Sequence, residues 1–123
     1  MGEERRFTVD EAEGELGELR RTLEAIRGAR KELLESSESI RGRVAADGGG
    51  VDGAAYWESL AALRDGIEAI SQRGIILRDP ETGVVDFPAE RDGEPIFLCW
   101  RLGEEHVGFW HDTETGFSGR KPI

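Results

Sequence analysis

Cysteine is almost missing from this chain: Cys99 stands alone among 123 residues. No disulfide can form within it, so a scaffold held by staples is excluded, and the length suits one domain with a core of its own. The opening MGEERRFT has no apolar signal core, and Arg6 occupies the position where a myristoylation pattern wants Ser or Thr. No apolar run is long enough to span a bilayer; PIFLCW is among the longest. The expectation is a soluble cytoplasmic protein with no membrane partner. Basic charge is also short. Lys and Arg total 16 against 26 Asp and Glu, a formal net charge of -10. The deficit is even: 11 basic and 16 acidic residues through Gly74, then 5 and 10, so each part carries -5. A negative field without a basic patch repels phosphate backbones, which makes nucleic acid the least favoured partner. Finally, there is no H-E-x-x-H, no C-x-x-C and no Gly-rich phosphate loop.

What is present begins with a helix. Thr8 followed by Glu11 is a capping-box pattern. Leu16, Leu19, Leu23 and Ile26 then recur at alternating spacings of three and four, a heptad seam of the coiled-coil kind. The seam continues through Arg30, Leu33, Ser37, Ile40 and Val44 and weakens there, because Arg30 and Ser37 stand where apolar residues belong. The glycines of AADGGGVDG end this element. A second helix follows, with Tyr56, Leu60, Leu63, Ile67 and Ile70 on one face and Gly74 as its stop. The spacing predicts helices over 8–46 and 54–73, joined as a long antiparallel hairpin. Their lengths differ, roughly 55 Å against roughly 30 Å. The second helix is expected to fold back on about Gly28 to Ala46, leaving the stripe from Leu16 to Ile26 for something else to cover.

Residues 75–112 read as strands: RGIILRD, GVVDFP, EPIFLCWRL and HVGFWH, separated by turn signals. Asp92-Gly93 and Gly103-Glu104-Glu105 are two of the turns. The other two share the form D-x-E-T-G, at Asp79 to Gly83 and Asp112 to Gly116. Both read as turns opened by Asp, with Gly at the positive-φ position, in preference to calcium loops. The fold class expected is α+β in one domain: the helical hairpin, then an antiparallel meander of about four strands, then a tail over 113–123.

The densest chemistry lies in LCWRLGEEHVGFWHD, residues 98 to 112. Side chains alternate along a strand, so Ile96, Leu98, Trp100 and Leu102 share one face and Phe97, Cys99 and Arg101 the other. Both faces are largely apolar, which predicts a central strand covered on both sides. The helices can cover one side; the C-terminal tail or a second subunit must cover the other, and the second option is the argument for a homodimer. His106 and His111 stand an odd number of positions apart and so point to opposite faces. With the turn at Gly103 to Glu105, Phe97 faces His111.

These motifs carry a resemblance. Phe7-Thr8 with Glu11-Ala12, Val85-Asp86-Phe87-Pro88, Leu98 to Glu104, Trp110-His111-Asp112 and Gly116 to Arg120 resemble the F-T-x-x-E-A, V-D-F-P, L-C-W-x-L-G-E, W-H-D and G-F-x-G-R motifs of the bacterial family catalogued as domain of unknown function 2203. The resemblance spans nearly the whole chain. Gly17 departs from it, since similar sequences tend to carry proline there. The family brings a name and no activity.

Candidate sites remain to be weighed. Asp86, Glu104, His106, His111, Asp112 and Arg120 offer ligand atoms for a metal or an anion. The plainer reading is that Glu104 and Glu105 cap a turn, Asp112 opens the next, and Asp86 pairs with Arg101 or Arg120. Cys99 reads as a buried, inert thiol in preference to a nucleophile. Trp100 and Trp110 read as core aromatics that could line a pocket, and Trp57 as a partly exposed contact residue. The expectation is a small interaction or binding module without catalytic activity, self-associating or engaging a protein partner through the hairpin. No cofactor is expected. The alternative is a metal-dependent enzyme or anion-binding protein with its site near Asp86, Glu104, His111 and Arg120.

Overall fold

The structure, a computed structural model, describes residues 5–47 and 53–123, and the side chains of 5–38 and 53–123. The glycine-rich stretch and the seam positions Ile40 and Val44 therefore lie outside the described residues or side chains. The capping box closes as expected. Glu11 N–H donates to Thr8 Oγ1 at 3.1 Å, and Thr8 N–H donates to Glu11 Oε1 at 2.9 Å. Two otherwise free donors are thereby satisfied, and α1 runs from there over Val9–Asp47. The second helix, α2, covers Ala54–Gln72. Gly74 ends it at φ +81°, with Ile75 N–H reaching back to Ile70 O at 3.3 Å.

The two helices form an antiparallel hairpin, but not in the expected overlap. Ser59 Oγ meets Glu32 Oε2 at 3.2 Å, Gly66 lies against Ile26, and Arg73 bonds both Glu15 and Glu18. Thus α2 overlies about Glu15 to Ser36 instead of Gly28 to Ala46. Its inner face is also rotated. Ser59, Leu63, Gly66 and Ile70 point inward, while Ile67 stays 39% exposed. The cause is Gly66: a Cβ there would sit 2.7 Å from Ile26 Cγ1, so the missing side chain lets the helices touch.

Five strands follow, one more than expected: β1 Ile76–Asp79, β2 Val84–Arg91, β3 Glu94–Arg101, β4 Phe109–Asp112 and β5 Lys121–Pro122. They form an antiparallel meander in sequence order. The tail supplies the fifth. After a single 3-10 turn at Phe117–Gly119, it pairs with the open edge of β4, Trp110 opposite Lys121. Asp92 and Gly93, at φ 54° and 81°, make the two-residue β2–β3 turn, where positive φ matches the strand twist. Phe97 does face His111.

The stripe of α1 is covered by the sheet. Leu16, Leu19, Leu23 and Ile26 join one core with Val85, Phe87, Ala89, Ile96, Leu98 and Trp100. Phe7 closes its end, edge-on to Phe87 at 5.2 Å, with its N–H on Pro88 O at 2.7 Å. The β3–β4 connection is tied to α1 as well: Val107 N–H donates to Glu13, and Arg20 donates to Glu105 O at 3.0 Å.

Candidate functional site

The face of the sheet turned away from the helices carries the polar chemistry. Alternation puts Asp86 of β2, Phe97 and Cys99 of β3, and His111 of β4 on that face. Asp86 stands opposite Cys99, and His111 opposite Phe97. The carboxylate and the imidazole therefore reach towards each other across β3, and His111 Nε2 lies 3.0 Å from Asp86 Oδ1. All three polar side chains are buried: Asp86 and His111 are each 2% exposed and Cys99 is 0%.

Hydrogen-bond directions follow from the partners. His111 Nδ1 lies 2.7 Å from Asp112 O, and a carbonyl only accepts, so Nδ1 carries a hydrogen. A further proton is then shared between Nε2 and Oδ1. Asp86 Oδ2 accepts from Arg78 Nε at 2.8 Å. Among the described residues no buried side-chain polar atom lacks a partner, so the cluster is stable as it stands. Burial, and then the neighbouring Asp86 carboxylate, push the Cys99 thiol up to about 12. That removes it as a nucleophile at neutral pH.

A second pair adjoins the first. Arg120 grips Glu104 with both ends of its guanidinium, at 3.1 and 2.8 Å, and lies between the rings of Phe109 and Phe117, at 4.0 and 4.1 Å. Its charge also acts on Cys99, which thus links the two pairs. On this face, where a second subunit was the other option, the tail lays Arg120 over Phe109 and beside Cys99.

Asp86 pairs with neither Arg101 nor Arg120. Arg120 is committed to Glu104, while Arg101 sits exposed at the far end of β3 opposite Val84. The partners are Arg78 and His111. Arg78 went unread because its reach depends on β1–β2 pairing; extending that pairing across the D-P-E-T-G turn would have set it diagonal to Asp86 on the same face. His106 is remote from the cluster, with Nδ1 3.3 Å from Glu13 and its side chain 71% exposed. Asp112 opens its turn as expected, its Oδ1 accepting the N–H groups of Glu114 and Thr115 at 2.9 and 2.7 Å. Asp79 does likewise with Glu81 N–H and Thr82 Oγ1. The glycines of the repeat differ: Gly83 has φ +79° but Gly116 has φ -127°, because the second turn runs on into the 3-10 turn. Glu104 caps its turn through Arg101 N–H at 2.9 Å besides holding Arg120.

Trp100 is fully buried, with Nε1–H on Glu104 O at 3.1 Å. Trp110 is half-buried between Arg91 and Lys121. Trp57 is 64% exposed. Two open pockets flank β4. One, of about 400 Å³, opens onto Asp86 and His111 between Arg78 and the segment Thr113 to Phe117. The other, of about 430 Å³, is lined by Arg91, Ile96, Trp110 and Asp112. Among the described residues, Asp86, Cys99 and His111 form a group able to hold a metal ion, with ligand atoms all within 4.8 Å of one another.

Fold and site together define an α+β protein with a helical hairpin on an antiparallel meander and a buried Asp-Cys-His cluster beneath its tail. The chain belongs to the family described as uncharacterized conserved protein, DUF2203, which it matches over residues 5–123. No curated protein and no solved structure matches it. No helix among the described residues is long and apolar enough to cross a membrane.

Proposed function

We propose that this protein is a cytoplasmic bacterial interaction module without catalytic activity, whose helical arm pairs with a second copy of the chain by coiled-coil contacts. The sheet and the first half of α1 are its rigid base. The observation that carries the reading is the exposure of large apolar side chains on the hairpin: Leu34 is 55% exposed and Trp57 64%. Charge supports self-pairing over other partners. Residues 24–47 hold five basic and five acidic residues, so this stretch is neutral within a chain of net charge -10. Two copies can approach along it without the repulsion that the rest of the surface would impose. The Cys99 thiol is held protonated by burial and is not an activated nucleophile, which fits a non-catalytic role.

Sedimentation equilibrium tests the reading. The wild-type chain is expected to dimerise, and a Leu34→Glu, Trp57→Glu variant to sediment as a folded monomer whose melting no longer depends on protein concentration. A wild-type monomer at all concentrations overturns it.

A further inference from the structure

We propose that Asp86, Cys99 and His111 form a binding site for a borderline divalent cation, zinc foremost, which enters by displacing two protons. The site is independent of the self-pairing above, since it lies under the tail on the far face of the sheet.

The donor set comes first. One carboxylate oxygen, one imidazole nitrogen and one sulfur suit zinc, and do not suit magnesium or calcium, which take oxygen shells. The three atoms lie within 4.8 Å of one another. Ligand atoms around tetrahedral zinc stand about 3.3–3.8 Å apart, so closure needs only a small rotation of side chains already on one face.

The surroundings are those of a ligand set. A metal-bound histidine commonly donates its other N–H to a carbonyl or carboxylate. Here Asp112 O takes the Nδ1 hydrogen at 2.7 Å, so Nε2 is the nitrogen presented to Asp86 and Cys99. Arg78 holds Asp86 by Oδ2, leaving Oδ1 on the side of His111. The two guanidinium groups nearby are each tied to an acid, Arg78 to Asp86 and Arg120 to Glu104. A pocket lined in part by Asp86 and His111 adjoins the cluster.

Charge balance allows the exchange. Without metal the cluster holds a neutral thiol and one proton shared by carboxylate and imidazole, for a net charge of zero. A divalent ion bound to thiolate, carboxylate and neutral imidazole also sums to zero. The thiol proton and the shared proton leave to solvent, and bonds from the metal to S, O and N replace the two bonds to hydrogen. A buried site resists net charge, and this exchange adds none. Coordination also deprotonates a thiol that burial alone keeps protonated.

Cobalt titration of the untagged wild-type protein tests this. Cys99 is the only cysteine, so a sulfur-to-cobalt charge-transfer band can arise nowhere else in the folded chain. The expected result is one equivalent of Co2+ bound, with that band and strong visible bands of four-coordination, all abolished by Zn2+. Calorimetry in two buffers of different ionisation enthalpy should report about two protons released per metal. His111→Gln should lose the band and His106→Gln should keep it. Should His111→Gln fail to fold, the wild-type spectrum and proton count decide alone. No sulfur band at saturating cobalt overturns the proposal, as does a band that survives in folded His111→Gln or disappears with His106→Gln.

Discussion

Residues Ala12 to Ala29 and residues Arg30 to Glu38 belong to one helix but to two environments. In the first stretch Ala12, Leu16, Leu19, Leu23, Ile26 and Ala29 are all buried; in the second no residue is. The seam does not stop at Arg30, since Leu33 still follows it, but there it meets α2, with the β1–β2 turn at Pro80 and Glu81 beside Arg30 and Leu34. A heptad pattern states which side of a helix is apolar; how far that side is buried depends on what faces it. In the base the partner is a sheet with Phe87 and Trp100 fully buried. In the arm it is α2 with the edge of one turn, and Leu33 is half-buried. Acid–base chemistry divides the same way: Asp86, Cys99, His111 and the Glu104–Arg120 pair are all on the base.

The largest test of this division is a pair of truncations. Trp100→Ala should lower unfolding stability by about 3–5 kcal/mol, while Leu33→Ala should cost about 1 kcal/mol. Equal losses in denaturant titrations would mean that arm and base are packed alike. A smaller effect contrasts two glycines of the helical hairpin. Gly66→Leu should destabilise by about 1–3 kcal/mol, because its Cβ would meet Ile26 Cγ1 at 2.7 Å. Gly28→Ala should stabilise by up to about 1 kcal/mol, because a Cβ there meets nothing within 4 Å. The same sign for both in thermal melts would remove Gly66 as the contact between the helices.

The smallest effect is the response to pH, and it should fall on the base. The carboxyls of Glu13, Asp79 and Asp112 are held below their ordinary range, by Val107 N–H, by the Thr82 hydroxyl with Glu81 N–H, and by the N–H groups of Thr115 and Glu114. Each binds its proton more readily in the unfolded chain. Their contribution is therefore complete above the ordinary carboxylate range and is lost as pH falls through the folded values. Cys99 acts at the other end. Its thiol is raised from 9.0 to about 12, so its contribution is complete below 9.0 and disappears as pH rises towards 12. Hydrogen exchange at low pH should loosen the β3–β4 connection and the two Asp turns before the α1–α2 contacts; the reverse order would contradict this.

Much of the base was legible. The Thr8–Glu11 box, the Gly74 stop and the Asp turns are local devices, and local chemistry can be read from neighbours in sequence. The facing of Phe97 and His111 followed from one turn. Asp86, Glu104, His111 and Arg120 were named together as candidates from their chemistry, but their pairing was not legible. That pairing depends on β1–β2 register for Arg78 and on the path of the tail for Arg120, and both are long-range. The arm was legible only in outline. Its overlap is set by Gly66 meeting Ile26, and a missing side chain leaves no mark in a hydrophobic pattern. The fifth strand was hidden because Lys121-Pro122 is too short to show any period.

The central claim is that the base is complete in itself and the arm is made to pair with another copy. Sedimentation equilibrium of the wild-type chain, set beside the Leu34→Glu, Trp57→Glu variant, tests it most directly. The account predicts a wild-type dimer and a folded monomeric variant. A wild-type monomer across the whole concentration range, or a dimer untouched by both charges, would contradict it.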